Sequence, residues 1–277
     1  MSTAAHLARI ADLLRAAARP PAGAGRIALA LGCGLACHLA FAAAVLAMIL
    51  AMAEGLSAGR GTVPWPWALA ANALLLAQFP LLHSLLLTGR GGRALAALVP
   101  GRHGATLATT TYALIASLQL LALFALWTPS GVVWWRAEGP VRAVMLALYG
   151  ASWLLLMKAS FDAGAEVQSG ALGWLSLLAR RAPRFPPLPV TGLFAVVRHP
   201  IYLAFALTLW TVPVWTPDQL ALALGFTAYC LAAPRLKERR LAARHGADFA
   251  RYRAAVPYAL PRRPRRSETH AQRPHAL

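Results

Sequence analysis

Gly192-Leu193-Phe194-Ala195-Val196-Val197-Arg198-His199-Pro200-Ile201-Tyr202 opens the stretch around which this chain is organised, and Val256-Pro257-Tyr258-Ala259-Leu260-Pro261 closes it. Between these ends lie two apolar runs and a basic segment that carries Lys237-Glu238-Arg239. The order brings Arg198, His199, Tyr202, Glu238 and Tyr252 to the edges of apolar segments. Such groups are costly beside lipid unless they bind one another or a ligand, and a zwitterionic ligand would supply the missing partners. Pro200 suits a first helical turn, where the N–H it lacks would be unpaired anyway. Tyr202 falls on that same turn and offers a hydroxyl near His199. Taken alone, Arg198-His199-Pro200 reads as a membrane-interface anchor. Further on, Arg235 and Glu238 are three residues apart and share a helix face. Gly246, Phe249 and Tyr252 then recur at three-residue spacing.

Composition supports a membrane setting for this stretch. Hydrophobic residues make up 58% of the 277 and charged residues only 13%, and the apolar residues sit in long blocks. That arrangement predicts an all-α, polytopic membrane helical bundle and excludes an ordinary soluble core. The net charge of +18 would point to nucleic acid in a soluble protein. Here no basic stripe interleaved with aromatics and no zinc or RNA-binding motif accompanies it, so no nucleic-acid partner is expected. Cys33, Cys37 and Cys230 all lie in apolar blocks without a disulfide framework or a CxxC pair. Cys33 and Cys37 with His38 form an incomplete metal set, and they are better explained as small buried residues. No metal is expected.

About six transmembrane helices are predicted. Residues 1–26 form an amphipathic leader rich in Ala and Arg, broken by Pro20-Pro21. The first span runs from about Ile27 to Ala53, with Gly32 and Gly34 suited to close helix contact. A second, about Ala68 to Leu87, carries Asn72, Gln78, Pro80 and His83-Ser84, and so is expected to turn one face into the bundle. The third and fourth are about Ala105 to Trp127 and Val141 to Phe161, with Trp134-Trp135 between them as an aromatic belt. Leu172, Trp174, Leu175, Leu177 and Leu178 predict a short amphipathic helix on the cytoplasmic face. Four prolines, Pro183, Pro186, Pro187 and Pro189, then impose an extended lead-in. The fifth span starts near Val190 or Pro200 and ends near Trp215. A tight turn at Pro213, Pro217 and Asp218 leads to a sixth, about Gln219 to Ala233. Beyond Pro234 a separate Arg-rich helix, Arg235 to Ala255, is expected. This divides the chain into the leader, spans and loops at 27–189, a core at 190–261, and a disordered basic tail at 262–277. With both termini cytoplasmic, 24 of the 27 Lys and Arg fall on the inside, and only Arg60, Arg136 and Arg142 remain outside.

The combined pattern resembles the membrane methyltransferase superfamily of isoprenylcysteine carboxyl methyltransferases and phospholipid N-methyltransferases. Its signature is Arg-His-Pro-x-Tyr, an acidic pair, Gly-x-x-Tyr-x-x-Tyr and a Val-Pro…Pro close. Arg198-His199-Pro200-Ile201-Tyr202 fits completely, and Glu238 and Tyr252 are kept. Lys237 stands where the first glutamate is usual and Phe249 where the first tyrosine is usual. Upstream, Gln78…His83-Ser84, Thr109-Thr110-Thr111-Tyr112, Trp127-x-Pro129…Val133-Trp134 and Gly139-Pro140 resemble a bacterial branch. That branch contains methanethiol S-methyltransferases and proteins linked to nitrite and nitric oxide reduction. Ser160-Phe161-Asp162-Ala163-Gly164-Ala165-Glu166 departs from its Asn-His-Phe-Glu-Leu-Phe-Gly-like segment.

The resemblance implies S-adenosylmethionine as methyl donor in an enzyme of a bacterial inner membrane. His199, Pro200, Tyr202, Glu238 and Tyr252 would hold the cofactor. Arg198, Arg235 and Glu238 would act in catalysis, and His83 and Gln78 would line the acceptor site. A small hydrophobic acceptor is implied, above all a thiol such as methanethiol, giving dimethyl sulfide. Three alternatives stand beside it. These are a lipid amine or prenylcysteine carboxylate as acceptor, an NADPH-dependent enzyme like the sterol reductases, and a non-catalytic accessory of nitrogen-oxide metabolism.

Overall fold

The computed structural model describes residues 3–99 and 101–259, with side chains from Leu7 onward. The expected Leu260-Pro261 close and the basic tail at 262–277 lie outside the described residues. Among the described residues ten α-helices run in the order α1 (Thr3–Ala18), α2 (Ala24–Ala53), α3 (Trp67–Leu86), α4 (Gly89–Ala97), α5 (Gly104–Leu126), α6 (Gly139–Asp162), α7 (Ala165–Gln168), α8 (Ala171–Leu178), α9 (Pro200–Trp210) and α10 (Pro217–Ala255). Four helical stretches among the described residues, 24–53, 67–86, 101–126 and 139–162, are long and apolar enough to cross a membrane. Their bounds match the first four expected spans within a few residues.

The last two expected spans differ. Helix α9 has 11 residues, about 16 Å at 1.5 Å per residue, against a hydrocarbon core of about 30 Å. The residues before it do not extend the helix, because Gly192 takes a φ of +61° and residues 192–195 form a single 3-10 turn. Helix α10 has 39 residues and runs through Pro234 without ending, so the apolar run and the basic segment form one helix. Its break comes later, at Gly246 (φ 49°, ψ −120°), a backbone conformation for which glycine has no steric penalty.

Connections sort to two ends of the bundle. At one end a short antiparallel ribbon pairs β1 (Trp135–Arg136) with β2 (Val214–Trp215). Arg136 pairs with Glu54 there at 2.9 Å, and the Thr216 hydroxyl donates to the Gly55 carbonyl at 2.6 Å. Asp218 is the main clamp. It accepts from the Trp127 indole N–H at 3.0 Å, from the Ser130 N–H at 2.9 Å and from the Ser130 hydroxyl at 2.5 Å. Asp218→Ala leaves the buried Trp127 indole without an acceptor and frees the exposed Ser130 from the clamp. It is expected to lower stability by about 2–4 kcal/mol, read as a fall in thermal unfolding midpoint of the detergent-purified protein, with Asp218→Asn milder. A midpoint unchanged in the alanine variant would refute the clamp.

The other end holds α1, α4, α7, α8 and the site. Leader helix α1 packs against α8, and Arg9 pairs with the buried Glu166. Contrary to expectation, α8 is not an interfacial amphipathic helix. Leu172, Gly173, Leu175, Ser176, Leu177 and Leu178 are all buried, because α8 is apolar on every side and wedges between α2 and α5. Gly34 makes room for the Trp174 indole, where a Cβ would come within 2.7 Å. Gly32, expected to serve likewise, faces open space. Cys37 is fully buried and His38 accepts from the Trp174 N–H at 3.0 Å, so both serve packing.

Candidate functional site

The site forms where the start of α9 meets the basic half of α10. Asp162, at the end of α6, accepts the Leu193 N–H at 2.9 Å, which fixes the 3-10 turn before the motif. Beyond Gly246 the chain turns so that Phe249 and Tyr252 are buried. The Tyr252 hydroxyl donates to the Phe194 carbonyl at 2.7 Å and thereby ties the far part of α10 to the turn. The Arg198 N–H donates to the Pro257 carbonyl at 2.9 Å.

Glu238 is the centre of the polar arrangement. Its Oε1 accepts from Arg198 Nε at 2.8 Å and from His199 Nε2 at 2.8 Å. Arg198 also donates to the Arg253 carbonyl at 2.9 Å and the Val256 carbonyl at 2.5 Å, groups at the end of α10 that have no helical acceptor role left to fill. Arg198 therefore serves as a positioning residue that fastens α10 to the start of α9. Burial on its own would raise the Glu238 carboxyl, but the hydrogen bonds from His199 and Arg198 and their charge outweigh it and hold the group below its ordinary value. Burial pushes His199 down to about 4, against the opposing hydrogen bond from Glu238 and with help from the charges of Lys237 and Arg198. Imidazole is thus neutral at pH 7, with its proton on Nε2 facing Glu238. That tautomer leaves Nδ1 bare, buried and without a partner among the described residues.

Aromatic rings enclose His199. Tyr202 stands perpendicular to it at 6.0 Å and Tyr258 at 4.8 Å between ring centres. The Arg198 guanidinium lies 5.5 Å from the Tyr258 ring centre, and Lys237 Nζ lies 5.7 Å and 5.8 Å from the rings of Phe194 and Tyr202. A bare acceptor between aromatic faces, with a carboxylate beside it, fits a ligand that carries a flat ring system, N–H donors and a positive charge.

A second polar group continues from Tyr202 into the bundle. His83 Nε2 and the Tyr112 hydroxyl are 2.7 Å apart, and Ser84 and Tyr229 hydroxyls 3.3 Å apart. Phe79 flanks His83 at 4.7 Å, and His83 Nδ1 is another buried atom without a partner among the described residues. The charge of Arg240 reaches His83, Tyr112, Tyr202 and Tyr229, so this group and the first are neighbours.

Of the residues expected to form a site, the fold brings together Arg198, His199, Pro200, Tyr202, Glu238 and Tyr252. Arg235 is exposed on α10, near enough to Tyr258 for its charge to act there. His83 lies in the adjoining group. Gln78 is committed elsewhere: its amide donates to the Gln119 carbonyl at 3.0 Å and accepts from the Gln119 amide at 2.6 Å, clasping α3 to α5. Tyr258, Tyr112, Tyr229 and Arg240 join these groups without having been predicted from the sequence. Tyr258 follows Val256-Pro257 directly and Tyr112 ends the Thr109-Thr110-Thr111-Tyr112 run, so position in the sequence is the signal for both.

No family model and no solved structure matches the chain. Among curated proteins, the methanethiol S-methyltransferase 2 of Bradyrhizobium diazoefficiens is 30% identical over 200 residues, 70% of this chain and 74% of its own length. The methanethiol S-methyltransferase of Mycobacterium tuberculosis is 30% identical over 204 residues, 70% of this chain and 78% of its own. The chain belongs to the methanethiol S-methyltransferase family. Nurim of Rattus norvegicus, another member of the same membrane methyltransferase superfamily, is 30% identical over 188 residues, 63% of this chain and 68% of its own. Lys237 and Phe249 are the two departures from the superfamily motif. Phe249 is 2% exposed, so the apolar core suits its ring without a hydroxyl. Lys237 is half-buried within the site itself.

Proposed function

We propose that this chain is an integral-membrane methyltransferase that uses S-adenosylmethionine to methylate a small thiol, methanethiol becoming dimethyl sulfide. The observation that carries it is the neutral His199, oriented by Glu238, with a bare and buried Nδ1 and the Tyr202 and Tyr258 rings around the imidazole, in a member of the methanethiol S-methyltransferase family. When bound, the cofactor supplies a methyl group on a sulfonium, which passes to the thiol sulfur as the old carbon–sulfur bond breaks. His199 Nδ1 would accept a hydrogen bond from it, Tyr202 and Tyr258 would pack against it, and Glu238, beside His199, would face its positive charge.

The acceptor site is the group around His83. In the tautomer that donates Nε2–H to Tyr112, His83 Nδ1 is bare and takes the proton that the thiol loses. Phe79 walls the site and excludes water, and alignment of a desolvated acceptor does most of the work in a displacement that destroys charge. In this reading α9 together with the extended residues 211–216, which carry the chain on to the β2 ribbon at the opposite end, makes the fifth crossing and the part of α10 before Pro234 the sixth, with residues 190–261 as the cofactor core. Both termini face the cytoplasm, because 24 of the 27 Lys and Arg then lie inside.

The test is calorimetric titration of detergent-purified protein with S-adenosylmethionine and, separately, NADPH, together with headspace detection of dimethyl sulfide from methanethiol. Binding of the sulfonium and product formation are expected. NADPH binding without either would overturn the reading in favour of a reductase. His83→Ala is expected to leave sulfonium binding within about twofold while lowering kcat/KM for the thiol about 100-fold, the range of a lost general base. Unchanged thiol kinetics in that variant would remove His83 from the acceptor site.

A further inference from the structure

The charges of the site do not balance at Lys237. Glu238 beside it is committed to Arg198 and His199. Arg198 and Glu238 thus balance one another, while the charge of Lys237 acts on the neutral imidazole and that of Arg240 acts on Lys237. Among the described residues Lys237 forms no ion pair, and three acids elsewhere are taken by other cations: Glu54 has Arg136, Asp162 has Lys158 and Asp12 has Arg181. Its Nζ is instead held at 5.7 Å and 5.8 Å from the ring centres of Phe194 and Tyr202. Two aromatic faces fix the position of an ammonium without neutralising it. Solvation is also incomplete, since the side chain is half-buried and Arg240 repels it from the same helix. A group in this state is completed by an anion.

From this we infer that Lys237 binds the carboxylate of a ligand that occupies the site, and so makes the site selective for carboxylate-bearing ligands. The geometry suits a carboxylate because a lone ammonium is a compact point charge with rotatable donors, whereas a phosphate is better matched by an arginine fork. Burial and Arg240 push Lys237 down to about 8, so it remains mostly protonated at pH 7 and able to bind an anion. Two ligands could bring the carboxylate: the amino-acid end of the methyl donor, or an acidic thiol acceptor. The inference rests on the methyltransferase reading above.

Full-length wild type and Lys237→Met are titrated calorimetrically in detergent with S-adenosylhomocysteine and with 5′-methylthioadenosine, which lacks the amino-acid carboxylate. Initial rates are measured with 3-mercaptopropionate and with propanethiol. If the donor supplies the carboxylate, the variant loses about tenfold affinity for S-adenosylhomocysteine and less than about twofold for 5′-methylthioadenosine, the loss expected for one charge-assisted contact. If the acceptor supplies it, both nucleosides bind as before, and KM rises about tenfold for 3-mercaptopropionate but not for propanethiol. Lys237→Arg is expected to restore part of either selectivity, and Lys237→Gln provides a second neutral variant should the methionine variant fail to fold. Equal effects on both members of each pair, or none on either, overturn the inference and leave the methyltransferase reading intact. Wild type that binds neither nucleoside overturns that reading, and the inference with it.

Discussion

Glu238→Ala is expected to reduce methyl transfer by at least about 100-fold and to destabilise the protein by about 3–5 kcal/mol, the range for a buried ion pair stripped of one partner. Both effects follow from a single oxygen. Oε1 of Glu238 accepts from Arg198 and from His199, whose side chains are 12% and 3% exposed. Without it, Arg198 keeps its bonds to the Arg253 and Val256 carbonyls but becomes a poorly solvated cation, and nothing holds the His199 proton on Nε2. Glu238→Gln retains an oxygen that can accept from Arg198 or His199, so its stability loss is expected to be smaller while transfer still falls. Thermal unfolding and initial rates on the two variants separate the effects. An alanine variant within a few-fold of native activity would remove Glu238 from the centre of the site.

The second large effect is on pH dependence. His199 is depressed from 6.5 to about 4 in the folded chain. Between those values the unfolded chain binds a proton that the folded chain refuses, so stability rises with pH across this window and is lost as pH falls through it. The stabilisation is complete above about 6.5 and amounts to roughly 3 kcal/mol for a shift of this size. Glu238 is also held low, so its contribution is present above 4.5 and is lost as pH falls further, in the same direction. His199→Ala is expected to flatten the unfolding midpoint between pH 4 and 6.5 and to weaken S-adenosylhomocysteine binding about 100-fold, or about 2.7 kcal/mol. In the native protein the acid limb of cofactor binding is expected near pH 4 to 5, well below an ordinary histidine, because only then does Nδ1 gain a proton. A limb centred at 6.5 would show that His199 is not the neutral acceptor the site requires.

Much of the site was legible because its parts are local. A proline at the first turn of α9 places His199 and Tyr202 at the same end of that helix, and spacing along α10 puts Glu238 on the side that meets them. Partner choice was not legible. Gln78 and His83 belong to one helix and have similar polarity, yet Gln78 is consumed by Gln119 while His83 keeps a bare nitrogen. Only the neighbouring α5 decides between them. Arg198 and Tyr252 are comparable: both belong to the motif, and Arg198 Nη1 and the Tyr252 hydroxyl are both spent on carbonyls that arrive from distant parts of the chain.

From its sequence alone this chain was committed to apolar helices of bilayer length, to a strong charge asymmetry between alternate connections and to a motif at a helix start, since hydrophobic blocks, turn residues and charge runs act over a few residues at a time. Tertiary structure decided that α8 is buried, that α10 passes Pro234 unbroken, and that Tyr258 and Lys237 enter the site. Those outcomes depend on which surfaces meet across 40 to 160 residues of chain, and the burial and the electric field that a side chain then experiences exist only after they have met.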